Sequence, residues 1–415
     1  MSIKITPTHL KGTVNIIGSK SYGHRALLAA SLAEGKSTIR GLPQSDDIQV
    51  TINALRRFGI YIEKDELIGK PWIYDEKPIQ CKASGSSLRF LIPLAMRFKY
   101  EVKFIGERRL FERPLDVYET IFDHLTFIKE DSSLTVKGPL KHGHYKIDGH
   151  KSSQFLTGLL FALPLVKRDT VIELMTPLQS RSYVDMTLEV LKQSGIHILQ
   201  KDQFFMIHGN QKYQAIDYDV EGDYSQAAFF FVAGTIGSTI TISHLNESSH
   251  QGDAKIIQII KDMGGNIEYK DKQYTVYPSK TKGVEIDLND IPDLGPILMI
   301  LAALSEGKTT FKSVERLKYK ESDRLSVMMH ILNQFGVTLA YQNDTIVIHG
   351  QQILKGGLEF DTYGDHRIAM ALAIASIKCE GNIIINHPEV VSKSYPDFFE
   401  VFKSLGGIYE ELKRT

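Results

Sequence analysis

Ser31–Ile60, SLAEGKSTIRGLPQSDDIQVTINALRRFGI, and Leu304–Val337, LSEGKTTFKSVERLKYKESDRLSVMMHILNQFGV, are two copies of one pattern. Each runs from the end of an apolar helix through E-G-K-S/T-T into a strand. A loop ending in Ser-Asp follows, then a helix that stops at Phe-Gly. With that frame, weaker copies emerge at Gln154–Ile196, Gln226–Ile267 and Arg367–Gly407, and a poorer one at Leu88–Leu125. The closing glycines Gly59, Gly195, Gly264, Gly336 and Gly406 sit 136, 69, 72 and 70 residues apart, and the first gap holds two units. A period near seventy is a whole α/β subdomain rather than a solenoid repeat, and the 415 residues hold six of them.

Within each unit the first helix is apolar nearly all round and must be buried. The second is amphipathic: Val184, Leu188 and Leu191 alternate with Glu189, Lys192 and Gln193. A chain of this length exceeds one ordinary core and predicts two domains. Lys and Arg number 49, Asp and Glu also 49, so the net charge is zero. A protein devoted to nucleic acid usually carries an overall basic surface. Cys81 and Cys379 provide no disulfide framework and fit a reducing cytosol. The start, MSIKITPTHLKGTVNII, lacks the apolar core of a signal peptide. The apolar run Phe155–Val166 falls short of the roughly 20 residues that span a bilayer. A soluble, cytoplasmic protein is expected.

Polar residues gather before the buried helices. The six lead-ins are GSKSYGHR (18–25), ASGSSLR (83–89), HKSSQ (150–154), EGDYSQ (221–226), DIPDLG (290–295) and YGDHR (363–367). Ser and Asp there are ordinary helix caps. Capping does not call for Lys20, Arg25, Arg89 and Arg367, because cations at a helix N-terminus oppose the macrodipole. Unless solvated, they need an anion, and a helix N-terminus is itself a phosphate or carboxylate site. The loops GERRLFERPLD (106–116), LKYKESDR (317–324) and VSKSYPD (391–397) add Arg113, Lys320, Arg324 and Lys393. Arg grips carboxylate or phosphate with two parallel hydrogen bonds, and Lys acts as a point charge. A cleft for multiply charged anions follows. Among so many cations, Asp293 and Glu321 are the candidate proton-transfer groups.

GKS at 35–37 and GKT at 307–309 imitate the end of a nucleotide P-loop, but Ala30 and Ala302 occupy the position of its leading glycine. Both follow an apolar helix, where Gly serves as a C-terminal cap. There is no H-E-x-x-H, no paired C-x-x-C and no G-x-G-x-x-G between strand and helix. His24 and His366 lack ligand spacing, so no metal is expected.

GSKSYGHRALLAASLAEG, FERPLD, KSSQFLTGLL, SRSYVDMTL, VEGDYSQAAFF, IPD, YKESDRL, YGDHRIAMALA and SKSYPDFFE occur in an order that resembles the 5-enolpyruvylshikimate-3-phosphate synthases, along nearly the whole chain. The resemblance implies an α/β fold: a two-domain inside-out α/β barrel of six βαβαββ repeats, three per domain, with buried helices. It implies a first domain of 1–18 and 222–415, a second of 19–221, and an active site in the interdomain cleft, closed by domain motion. The implied reaction moves the enolpyruvyl group of phosphoenolpyruvate to the 5-hydroxyl of shikimate 3-phosphate by addition and elimination, with no cofactor and no metal. The expected partners are those two small molecules alone, without nucleic acid or membrane, and the chain is expected to act as a monomer.

Carried over by motif, Lys20, Ser21, Arg25, Ser152, Ser153, Gln154, Ser180, Asp293 and Lys320 would bind shikimate 3-phosphate, with Tyr183 nearby. Lys20, Gly85, Arg113, Gln154, Arg324, Arg367 and Lys393 would bind phosphoenolpyruvate. Asp293 would take the proton of the 5-hydroxyl, Glu321 would protonate C3, and Lys20 would assist catalysis. The chain departs from the family pattern at Ala83 and Gly364, where Asn is frequent, and at Arg316, where some members carry Asn. The sister transferases acting on UDP-N-acetylglucosamine carry a Cys in the loop matching GERRLFERPLD, and this loop has none. A non-catalytic anion binder would have no need of both Asp293 and Glu321.

Overall fold

In the computed structural model, residues 1–412 are described, and they divide into two compact units. One is the continuous segment Gly18–Val220; the other joins Met1–Ile17 to Glu221–Thr415. We call them the continuous and the split unit. Each has its own hydrophobic core. At both passages between units a glycine lies against a carbonyl. A Cβ on Gly18 would sit 1.9 Å from the Gly41 oxygen, and one on Gly222 would sit 2.2 Å from the His244 oxygen.

The continuous unit contains α1 (Lys20–Leu32), α2 (Asp46–Arg57), α3 (Gly85–Ala95), α4 (Arg108–Glu112), α5 (Asp116–Ile121), α6 (Ser153–Ala162) and α7 (Arg181–Gln193). The split unit contains α8 (Tyr224–Ile236), α9 (Lys255–Asp262), α10 (Gly295–Ala303), α11 (Arg324–Gln334), α12 (His366–Ala375) and α13 (Phe398–Ser404). The apolar helices behave as their composition requires. Every residue of α8, α10 and α12 is buried, as is Tyr22–Ser31 of α1. The amphipathic α2 buries Ile48, Val50, Ile52 and Leu55 while Arg56 and Arg57 stay outside. A fully buried Leu, Ile or Phe contributes about 1.5–3 kcal/mol. Truncating Phe230 in α8 to Ala therefore costs about 3–5 kcal/mol.

Six four-stranded sheets accompany these helices, each with one parallel and two antiparallel pairings. His144–Ile147 runs parallel to Thr170–Leu174 across α6, and Phe204–Ile207 then joins antiparallel beside Ile198–Lys201. That is βαβαββ, and it recurs six times. Three of the sheets borrow a strand from a distant part of the chain. Asp217–Asp219 pairs with Gly35–Arg40, Gly12–Asn15 pairs with Ile240–Ser243, and Ser2–Thr6 lies between Ile383–Asn386 and Ile408–Leu412. The poorer copy is irregular for a local reason. Pro114 falls inside its second helix, which breaks into α4 and α5, because proline removes a backbone donor and clashes with the preceding turn.

The five closing glycines have φ between 76° and 99°. That left-handed conformation ends a helix at little cost only without a Cβ. Gly35 and Gly307 likewise follow helices with positive φ, so both GK sequences are turns into strands. Cys81 and Cys379 are buried free thiols, and burial pushes each up to about 12. No described helix is long and apolar enough to cross a membrane.

Candidate active site

The split unit gathers an ion-pair cluster around one carboxylate. Asp293 sits in the turn Pro292–Leu294 that feeds α10. Its Oδ1 accepts from Lys320 Nζ at 3.0 Å and from an Arg324 guanidinium nitrogen at 2.9 Å. Oδ2 accepts from Arg367 at 3.2 Å. Arg324, the first residue of α11, is 1% exposed and meets three acids: Asp293, Glu321 at 2.6 Å and Asp365 at 2.8 Å. Asp365 does double duty, capping α12 through the Arg367 N–H at 2.9 Å. Arg367 also donates to the Ser225 hydroxyl at 3.0 Å, at the start of α8.

This geometry sets the charges. Burial would raise the Asp293 carboxyl, but Arg367, Lys320 and Arg324 together hold it well below the usual carboxylate range. Burial would lower the Arg324 guanidinium, yet Asp365, Glu321 and Asp293 outweigh it and raise it. Lys320 is lowered, by burial, despite Asp293 beside it. Asp253, in the turn Gly252–Ala254 before α9, is pushed up to about 7 by burial and by the Asp293 charge. Lys393 ends a turn, Pro388–Lys393, packed on α12.

The continuous unit arranges the first turns of its three buried helices differently. Buried hydroxyls join them in a closed ring. His24 of α1 bonds Thr51 of α2 at 2.8 Å, and Thr51 bonds Ser87 of α3 at 2.7 Å. The Gln154 amide of α6 donates to Ser86 at 3.0 Å and accepts from Arg89 at 2.7 Å. Thr157 of α6 bonds Thr187 of α7 at 3.0 Å, and Thr187 accepts from Arg25 of α1 at 2.9 Å, which closes the ring. Burial drives the His24 imidazole down to about 3, so it is neutral.

Lys20, first in α1, pairs with Asp47 at 2.7 Å. Arg25 is buried and also donates to the Ser21 and Tyr183 carbonyls; burial pulls its guanidinium down to about 10. The Arg113 guanidinium lies 2.7 Å from the place a Cβ of Gly85 would occupy, and its buried Nε has no hydrogen-bond partner. Ser152 caps α6 through the Gln154 N–H, Ser153 opens that helix, and Ser180 precedes α7 with φ of 54°. Gly158 lets α6 approach α3, since a Cβ there would meet the Arg89 carbonyl oxygen at 2.6 Å.

The expected residues thus fall into two sets. Asp293, Lys320, Glu321, Arg324 and Arg367 form one bonded cluster, with Lys393 on a neighbouring turn. Lys20, Ser21, Arg25, Gly85, Arg113, Ser152, Ser153, Gln154 and Ser180 lie on or beside the first turns of α1, α3, α6 and α7. Lys20, Arg25 and Arg89 do not depend on an external anion, because Asp47, backbone carbonyls and Gln154 already receive them. Sequence reasoning passed over Asp47, Asp253 and Asp365. Asp46 matches Asp323 in the repeat; Asp47 is the next residue, the second of α2, and Asp253 lies in the turn before α9. No group of described His, Cys, Asp and Glu residues is arranged to hold a metal ion.

A six-repeat α/β chain with an acid–base cluster in one unit and a cation-bearing helix ring in the other has the features of an enolpyruvyl transferase. The comparisons agree. An enolpyruvyl transferase from Streptomyces tendae shares the fold, with a TM-score of 0.81 at 17% identity, covering 99% of this chain and 98% of that one. An EPSP synthase from Acinetobacter baumannii superposes with a TM-score of 0.82 at 24% identity, covering 99% of this chain and 100% of its own. The 3-phosphoshikimate 1-carboxyvinyltransferase of Clostridium kluyveri is 46% identical over 419 residues, 99% of this chain and 98% of that protein. The family model for EPSP synthase (3-phosphoshikimate 1-carboxyvinyltransferase) matches residues 5–402. The chain belongs to that family.

Proposed function

We propose that this chain transfers the enolpyruvyl group of phosphoenolpyruvate to the 5-hydroxyl of shikimate 3-phosphate, releasing inorganic phosphate, as a step of the shikimate pathway. The observation that carries the residue assignments is Asp293, one carboxylate held among Lys320, Arg324 and Arg367. Asp293 takes the proton of the 5-hydroxyl as that oxygen bonds to C2, while Glu321 delivers a proton to C3. The intermediate then loses a methyl proton as its C2–O bond to phosphate breaks.

The cations both grip the substrates and hold the ligand-free site in reserve. Phosphoenolpyruvate binds to Lys20, Gly85, Arg113, Gln154, Arg324, Arg367 and Lys393. Its charges draw Arg324 and Arg367 away from Asp293 and Glu321. Asp293 becomes more basic as those neighbours are shared, and Glu321 is released from the guanidinium that now occupies it. Shikimate 3-phosphate takes Lys20, Ser21, Arg25, Ser152, Ser153, Gln154, Ser180 and Lys320, with its 5-hydroxyl on Asp293. The missing Cβ of Gly85 lets the Arg113 guanidinium close in on the first turn of α3, where it meets phosphoenolpyruvate.

The reading takes the two units as the domains 1–18 with 222–415 and 19–221, acting together on one substrate pair. It takes the protein as a cytoplasmic monomer. The deciding experiment is phosphate release from phosphoenolpyruvate with and without shikimate 3-phosphate, with the product mass recorded. Release that requires both substrates and yields a carboxyvinyl adduct is expected. Release without the acceptor, or no adduct from folded protein, would sink the proposal.

A further inference from the structure

A second cationic site lies in the continuous unit, at the opposite ends of the helices that carry its substrate-binding residues. Leu32 ends α1, Arg97 follows α3 and Leu165 follows α6, and all three line one pocket of about 870 Å³. Twelve residues of helix separate Lys20 from Leu32, about 18 Å along the axis. The pocket volume lies within the roughly 300–1,000 Å³ of small-molecule sites.

The pocket has an apolar floor and a charged rim. Trp72, Leu140, Val166 and Tyr213 are buried in its floor. Lys70, Arg97, Lys141, Lys167, Arg168 and Lys212 surround it, all exposed, with Glu34 the one acid among the lining residues. Cations do favour helix C-termini, but three helix ends supply only about half a negative charge each. Together with Glu34 they leave a surplus of about three to four positive charges.

Two further observations separate this rim from ordinary solvated surface. Among the described residues, none of the six forms an ion pair or a side-chain hydrogen bond. Elsewhere on the same unit, exposed cations do find acids: Lys36 with Glu66, Arg57 with Asp75, Lys103 with Glu130 and Arg181 with Asp185. Nor does the architecture demand charge there. In the split unit the helix ends are closed by neutral groups. Ser305 bonds Thr281 and the Leu301 carbonyl, both at 2.7 Å, and Ser376 bonds the Ala373 carbonyl at 2.6 Å.

We propose that this pocket is a binding site for a small, multiply charged phosphorylated anion. The rim cations hold its phosphoryl oxygens, and the floor accepts any ring or apolar body it carries. Two sources share that chemistry, a free polyphosphate and a phosphorylated organic molecule.

The test is calorimetric titration of the full chain at low salt, without divalent ions, using inorganic pyrophosphate and adenosine triphosphate as probes. The expected result is saturable binding that weakens as salt is raised. Arg97→Ala with Arg168→Ala should weaken it at least tenfold, and Lys20→Ala should leave it unchanged. Lys141→Glu with Lys212→Glu, at solvent-facing positions, gives a second variant should the first melt early. Tighter binding of the triphosphate than of pyrophosphate assigns the site to a phosphorylated organic molecule. Equal binding assigns it to free polyphosphate. Absence of binding by both probes overturns the proposal, as does binding that survives both rim variants or disappears with Lys20→Ala.

Discussion

The two units place polar groups at the same repeat positions and use them in opposite ways. In the split unit, Lys320, Arg324 and Arg367 face Asp293, Glu321 and Asp365, and charge is matched within the cluster. In the continuous unit, Arg25 and Arg89 are anchored by a hydroxyl, an amide and carbonyls, which hold a guanidinium without cancelling its charge. Arg25 is held on a neutral scaffold, while Lys20 of the same unit is matched by Asp47. A matched cluster keeps its acids poised until a ligand disturbs the balance. In the proposed mechanism, one unit holds and the other reacts.

That contrast can be broken at several points. The largest effect is expected at Asp293. Asp293→Asn keeps the shape and removes the base, and should lower turnover roughly 10²–10⁴-fold with shikimate 3-phosphate binding retained by calorimetry. Near-normal turnover would remove Asp293 from its role. Stability should separate the two arginines next. Arg324→Met removes the guanidinium that pairs with three partly or fully buried acids, and should cost about 3–5 kcal/mol in urea unfolding. Arg25→Met strands only a hydroxyl and two carbonyls, and should cost about 1–3 kcal/mol. Equal losses would mean that the two networks do not differ as described.

Smaller effects sharpen the picture. Gly85→Ala pushes a methyl to within 2.7 Å of the Arg113 guanidinium. The KM for phosphoenolpyruvate should rise about tenfold, about 1.4 kcal/mol, with kcat less affected; an unchanged KM would detach Arg113 from that substrate. The smallest effect concerns Asp253, whose carboxyl stands near 7 instead of 3.8. A carboxyl raised on folding binds more protons in the folded state, so stability falls as pH rises from 3.8 through about 7. Asp253→Asn should raise the melting temperature at pH 8 by about 2–4 °C and change it less at pH 5. A uniform shift at both values would contradict the titration.

Much of this was legible in the sequence because the repeats speak through local signals. E-G-K-S/T-T and the closing glycines mark helix ends wherever they fall, and the apolar helices need no partner to be recognised as buried. The copy at Leu88–Leu125 was faint because Pro114 splits its second helix and removes the amphipathic period. Borrowed strands such as Ser2–Thr6 leave no local trace, since their pairing joins residues 384 apart, Ser2 with Asn386. At the site, Lys320, Glu321 and Arg324 stood out as a run of charge. Asp365 did not, because an acid before a helix reads first as a cap, and it is one. The ring of Thr51, Ser87, Thr157 and Thr187 was invisible for a similar reason. Hydroxyls on helix faces carry no periodic signal, and only helix packing brings Thr51 to 2.7 Å from Ser87 and Thr157 to 3.0 Å from Thr187.

The strand Ser2–Thr6 has a consequence for how the chain is made. Its neighbour Ile383–Asn386 lies far along the chain, with Asn386 384 residues after Ser2, and Ile408–Leu412 follows later still. Gly18–Val220 is complete as soon as it is synthesised, and domains fold as units during translation. Until those neighbours are made, Ser2–Thr6 is an unpaired apolar strand, the kind of exposed edge that invites aggregation. The split unit can therefore complete its sheet only after the continuous unit has been synthesised.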